Sequence, residues 1–250
     1  MRGEAGTREH GGMTSSTRAR TVSPRAGRRR DWLAPAGLIA LSLVPIMAGV
    51  SRVTQLTQGV PVTEDNARFF DSPIPVLVHI VGSSVFLVLG ALQFAPSLRR
   101  RRWHRFAGRV VAPAGLLSAG SALWMTLFYD IPSAVTGPGL PAMRIVFGLA
   151  MAAAIVVAFV SIRRGDVATH SAWMTRAYAI GLGAGTQVLT LVPWTLVFGA
   201  PDPIVYSVLM GAGWAINIVV AEIVIRRRAG AGPARDGAGR RGMAPPTMRA

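Results

Sequence analysis

Six stretches of this chain, roughly residues 33–51, 74–95, 108–129, 144–162, 177–199 and 204–225, are almost purely apolar. Each is close to the ~20 residues that a helix needs to cross the hydrocarbon core of a bilayer. A backbone in lipid must satisfy its own polar groups, so runs of this kind fold as helices. The expected fold is an all-α integral membrane protein with six transmembrane helices, the central four forming a bundle. Composition agrees, because 51% hydrophobic against 15% charged residues is too apolar for an ordinary soluble domain. The first run holds Pro45 and follows a basic tail, a pattern it shares with signal peptides. A tail of some thirty residues is long for that role, and the run is read as a retained anchor.

A net charge of +16 suggests nucleic acid when it sits on a soluble domain. Here the basic residues cluster at the ends of the apolar runs and no basic soluble domain is left over, so nucleic acid is not an expected partner. The charge instead reads as topology. With the N-terminus placed inside, 24 of the 27 arginines fall on the cytoplasmic side, and only Arg52, Arg68 and Arg144 fall outside. Both termini are then cytoplasmic and the location is a bacterial plasma membrane. The segment LRRRRWHRFAGRVV, residues 98–111, becomes the inner turn between the second and third helices, where its arginines meet anionic lipid headgroups.

Residues 1–30 and 229–250 are rich in Arg, Gly, Ser, Thr and Pro and are expected to be disordered cytoplasmic tails around a transmembrane domain at 31–228. All 27 basic residues are arginine and cysteine is absent. Without lysine there is no P-loop and no Schiff base; without cysteine there is no disulfide, iron–sulfur cluster or thiolate ligand.

Three histidines lie near the membrane. His79 falls within the second run and shares a helical stripe with Gly82, Phe86, Gly90 and Gln93. Its glycines leave room either for a flat ring system such as a porphyrin or for a close helix neighbour, in which case His79 hydrogen-bonds that neighbour. His104 and His170 occupy matching places, each just before a membrane helix, beside an interfacial tryptophan and five or six residues ahead of an arginine, Arg109 or Arg176. Two imidazoles at one depth suit an axial pair on haem iron; at headgroup level they suit a polar cap on carbonyls and lipid phosphates equally well. Asp166 and His170, four apart, together with His104, are also a candidate carboxylate and two-histidine metal set. An outer haem on His79 would need a second ligand, for which only Met125, Met143 or Met210 is at hand. In the fifth run GLGAGTQ lacks the spacing of a nucleotide loop and reads as helix packing. Glu222 is expected to pair with Arg226, one helical turn away.

The motifs HRxxGR (His104, Arg105, Gly108, Arg109) and HxxWMxR (His170, Trp173, Met174, Arg176), with His79, Gly82, Gly90 and Gln93, resemble a bacterial multi-pass membrane family known only as a domain of unknown function. The resemblance covers about residues 74–185 and implies a membrane location without an established activity. A fainter similarity is to the transmembrane di-haem cytochromes b, whose histidines on four central helices ligate two haems; the fourth run here has none.

Two functional readings stand open. In one the protein is a haem b or quinone-linked electron carrier, with His104 and His170 as iron ligands, His79 as a further cofactor contact, and Arg105, Arg109 and Arg176 balancing propionates or a phosphate; a quinone or redox protein is then its partner. In the other it is a non-enzymatic transporter or membrane scaffold whose His/Arg motifs are structural caps. A polar path through Gln93, Gln187 and Asn217 would favour transport.

Overall fold

A computed structural model describes residues 24–99, 102–132 and 136–230. Those residues form nine helices, and among them there is no strand. In chain order they are α1 (Pro24–Gln58), α2 (Ala67–Asp71), α3 (Pro73–Gln93), α4 (Pro96–Arg99), α5 (Arg102–Phe128), α6 (Leu140–Arg163), α7 (Val167–Gly181), α8 (Gly183–Phe198) and α9 (Pro203–Gly230). Most of the two expected tails, residues 1–23 and 231–250, lies outside the described residues. Helix α1 begins within the expected tail 1–30, with Pro24 at the first helical position, where a missing N–H costs nothing.

The boundaries follow local chemistry. Pro73 opens α3. Gly139 (φ +95°) leads into α6, and Gly165 (φ +79°) makes the left-handed turn between α6 and α7 that a side chain would resist. Asp166 caps α7 by accepting the Thr169 N–H at 2.9 Å. Two expected boundaries move. Arg102, Trp103, His104 and Arg105 form the first turn of α5, so this half of the basic knot opens a helix; likewise HxxWMxR lies within α7.

The fifth run is not one straight helix. α7 and α8 meet at Leu182 with a bend of 41°, and six spans are reached only when this bent pair counts as one. Glycines on both sides of Leu182 lower helix propensity there, and Gly183 lies so close to Trp214 that a Cβ would overlap the indole. The break therefore coincides with tight docking on α9.

Four helices close into a ring. α3 packs on α5 and α7, and α6 packs on the same two, so α5 and α7 face each other diagonally. Phe86 and Leu87 from α3, Val111 from α5, Ile155 from α6 and Ala177 and Tyr178 from α7 fill the interior. α1 lies against α3 and α8, while α9 covers α7 and α8. Outward-facing Leu117, Phe128, Val146, Phe159, Leu196 and Val219 are each more than half exposed. An apolar belt of that extent is stable against acyl chains and not against water.

Candidate functional site

The histidines are split between the two ends of the ring. His79 sits in the first turns of α3, at the end where Tyr129 donates to the Ser72 carbonyl; His104 and His170 open α5 and α7 at the opposite end. The fourteen residues from His79 to Gln93 correspond to about 21 Å of helix. No single ligand bridges the ends.

At the His104 end, Gln93 Nε2 donates to the His104 carbonyl at 3.5 Å, tying α3 to the start of α5. His170 holds its Nδ1 2.9 Å from the Ala158 carbonyl of α6. Arg105 and Arg109 stand exposed on α5. Asp166 serves α7 as its cap, and Thr169, first through its side chain and then through its backbone, holds that exposed carboxyl below the usual carboxylate range. Among the described residues no three His, Asp or Glu side chains converge as a metal site requires, so the Asp166, His170 and His104 set does not assemble.

Arg176 forms an ion pair that its motif does not announce. Its Nε lies 2.6 Å from Glu222 Oε1 and its Nη2 3.1 Å from Oε2, a bidentate pair between α7 and α9, and its guanidinium stacks 4.7 Å from the Trp173 ring. Glu222 thus pairs across the bundle with Arg176, where the sequence pointed to Arg226 one turn along. The reason is geometric: a planar fork meets both carboxylate oxygens at once, which a neighbour on the same helix does less well.

Around His79 the stripe faces the ring interior. Cβ atoms built at Gly82 and Gly90 would lie 3.0 Å from the Ala114 carbonyl and 2.6 Å from the Tyr178 ring, so both glycines admit close neighbours. His79 Nδ1 lies 3.0 Å from the Ser118 carbonyl and 3.3 Å from the Ser121 hydroxyl. The polar groups of the later helices are likewise joined between helices. Thr186 donates to Asn217 Oδ1 at 2.7 Å, Asn217 Nδ2 to the Ala179 carbonyl at 3.0 Å, and Gln187 Nε2 to the Met210 carbonyl at 3.1 Å.

Beside His79 is a cavity of about 760 Å³. Residues from α1, α2, α3, α5, α6, α7, α8 and α9 line it, among them Ile180 and Gly181 just before the α7–α8 break and Ala184 and Gln187 just past it, and it reaches the connecting segments at Asp65 and Ile131. Its walls include Arg52, Arg68 and Arg144, the three arginines that the topology count set apart from the other 24. Sequence reasoning passed over them as exceptions to a topology count. The signal was present in that they stand against the insertion bias, but nothing in their spacing says that they meet.

The helical architecture and its lipid-facing belt define a multi-pass membrane protein. The chain belongs to the family described as Predicted membrane protein (DUF2306), which matches residues 76–225. That match extends beyond the 74–185 core of the motif resemblance to take in α8 and most of α9, and it begins after Arg52 and Arg68. Neither the curated proteins nor the solved structures compared with the chain include a match.

Proposed function

We propose that the protein is a membrane carrier or binding protein for a small solute, which it takes into the cavity beside His79 from the side of the membrane opposite the arginine-rich turns. The observation that carries this reading is the cavity itself, whose 760 Å³ lies within the range typical of small-molecule sites. A second feature supports it. The bent α7–α8 pair places Ile180, Gly181, Ala184 and Gln187 on the cavity wall, and discontinuous helices of this sort line the mid-membrane sites of many transporters. The polar path expected through Gln93, Gln187 and Asn217 is not the basis of the reading, since Gln187 and Asn217 bond neighbouring helices.

The absence of cysteine makes the test direct. In intact cells, single cysteines at Ala48 and Ala122 in the cavity wall are expected to react with a maleimide that cannot cross the membrane, whereas one at Gly165 reacts only after permeabilisation. Labelling of Gly165→Cys in sealed cells would overturn the orientation, and protection of both wall positions would remove the outward-reaching cavity.

A second reading is electron transfer through haem b or a quinone, and one observation favours it. His170, like His79, holds Nδ1 against a main-chain carbonyl, the arrangement that fixes a histidine with Nε2 turned to a ligand. His104 and His170 would be the axial residues, on helices that face each other diagonally, with Arg105 and Arg109 for propionates; Arg176 is already committed to Glu222. Bound haem would supply one-electron chemistry. A reduced-minus-oxidised absorption spectrum of folded protein made with ample haem decides it: a haem band that His104→Ala and His170→Ala each abolish is the expected result, and no band removes the haem.

A further inference from the structure

We infer that the cavity binds an amphipathic anion, with a carboxylate or phosphate head held by Arg52, Arg68 and Arg144 and an apolar body extending between α3, α5 and α6. This rests on the reading of the cavity as a binding site and adds the chemistry of the occupant.

The arginines form a receptor in need of an anion. Arg52 and Arg68 both pack on the Phe69 ring, with guanidinium carbons 4.0 and 4.5 Å from its centroid. Stacking occupies the face of a guanidinium and leaves its edge donors, which bind oxyanions, directed elsewhere. Arg52 gives one of these, Nη1, to Gln55 Oε1 at 2.6 Å. Arg68 Nη1 is buried and has no hydrogen-bond partner among the described residues. Arg144, half-buried on α6, and Arg52 are each close enough to Arg68 for their charges to interact. Among the described residues no carboxylate forms an ion pair with any of the three, although Asp65 also lines the cavity. Three like charges held together with an unsatisfied donor repel one another until an anion enters, and a carboxylate or phosphate can accept from two forks at once.

The body of the ligand follows from the rest of the lining. Away from the arginines the wall is mainly apolar, with Leu87, Ala119, Phe147, Met151, Ile180 and Trp214. A free inorganic ion would leave most of 760 Å³ without contacts. Such an anion could be a soluble amphiphile or a lipid of the adjoining leaflet, because both present the same head to the arginines.

Purified full-length protein in dodecyl maltoside is titrated by calorimetry with decyl phosphate, decanoate, decanol and inorganic phosphate. Decyl phosphate and decanoate are expected to bind at least about tenfold more tightly than either decanol or inorganic phosphate, and Arg68→Gln or Arg144→Gln to remove most of that advantage. Equal binding of decanol and decanoate overturns the anion while leaving a cavity that binds solutes. Inorganic phosphate binding as tightly as decyl phosphate overturns the apolar body. If folded wild-type protein takes none of the four, the binding reading falls with the inference. Unchanged affinity in both folded variants places the anion elsewhere and overturns it too; should a variant not fold, the comparison of probes on the wild type decides. In nanodiscs, competition between phosphatidylglycerol and decyl phosphate assigns the site to a membrane lipid, and its absence to a soluble amphiphile.

Discussion

Phe86→Ala is expected to lower the stability of the folded bundle by about 3 kcal/mol, near the bottom of the range for deleting a buried phenylalanine. The side chain is 1% exposed at the centre of the four-helix ring. Its ring lies against two glycines: a Cβ at Gly115 on α5 would come within 2.7 Å of it, and one at Gly181 on α7 within 2.8 Å. Tyr178, whose ring centroid is 5.7 Å away, is fixed by its own hydrogen bond to the Leu87 carbonyl and cannot readily swing into the space. The resulting void stays open. The value lies low in the range because the unfolded helices remain in lipid, so dispersion contacts are lost but no transfer from water is involved. Denaturation in mixed detergent micelles measures the effect, with Leu117→Ala on the lipid-facing surface as a control expected to change stability by less than ~0.5 kcal/mol. Equal midpoints for the two variants would mean that the ring interior is not where the bundle is held.

Breaking the Arg176–Glu222 pair comes next. Either Arg176→Ala or Glu222→Ala is expected to cost about 2 kcal/mol, as befits charge-assisted hydrogen bonds at a partly shielded position. The two side chains are 28% and 31% exposed, so the larger penalties of fully buried pairs do not apply. The Glu222→Ala loss includes the stacked arrangement of Arg176 on Trp173, and the orphaned Glu222 in Arg176→Ala retains Arg226 one turn away as a weaker neighbour. The exchange Arg176→Glu with Glu222→Arg is expected to recover part of the loss relative to either charge reversal alone. Denaturation midpoints of the four proteins form the double-mutant cycle that checks this; a coupling near zero would show that α7 and α9 are joined by packing only.

Much of the architecture was legible before any coordinates. Each expected run overlaps an observed helix, and the stripe His79, Gly82, Phe86, Gly90 and Gln93 correctly marks the face of α3 turned to its neighbours. Helix starts were less legible. Charged residues at 102–105 read as a loop because they interrupt an apolar run, yet arginine is a good helix former and extends α5 beyond the hydrocarbon. The bend at Leu182 was also missed, since its two glycines read as packing positions and the break depends on how closely Trp214 approaches.

The sequence by itself determined that the chain is helical and lives in lipid, because hydrophobic length and backbone hydrogen bonding leave no other fold to six such runs. It also marked His79, His104 and His170 as the imidazoles to follow, two of which hold main-chain carbonyls. Only the tertiary structure decided which charges meet. Arg176 finds Glu222 46 residues away, and Arg52, Arg68 and Arg144 converge from α1, α2 and α6 on one cavity. Periodicity fixes which face of a helix is apolar, but side-chain partners depend on the rotation and order of helices in the bundle, which arise only when all of them pack together.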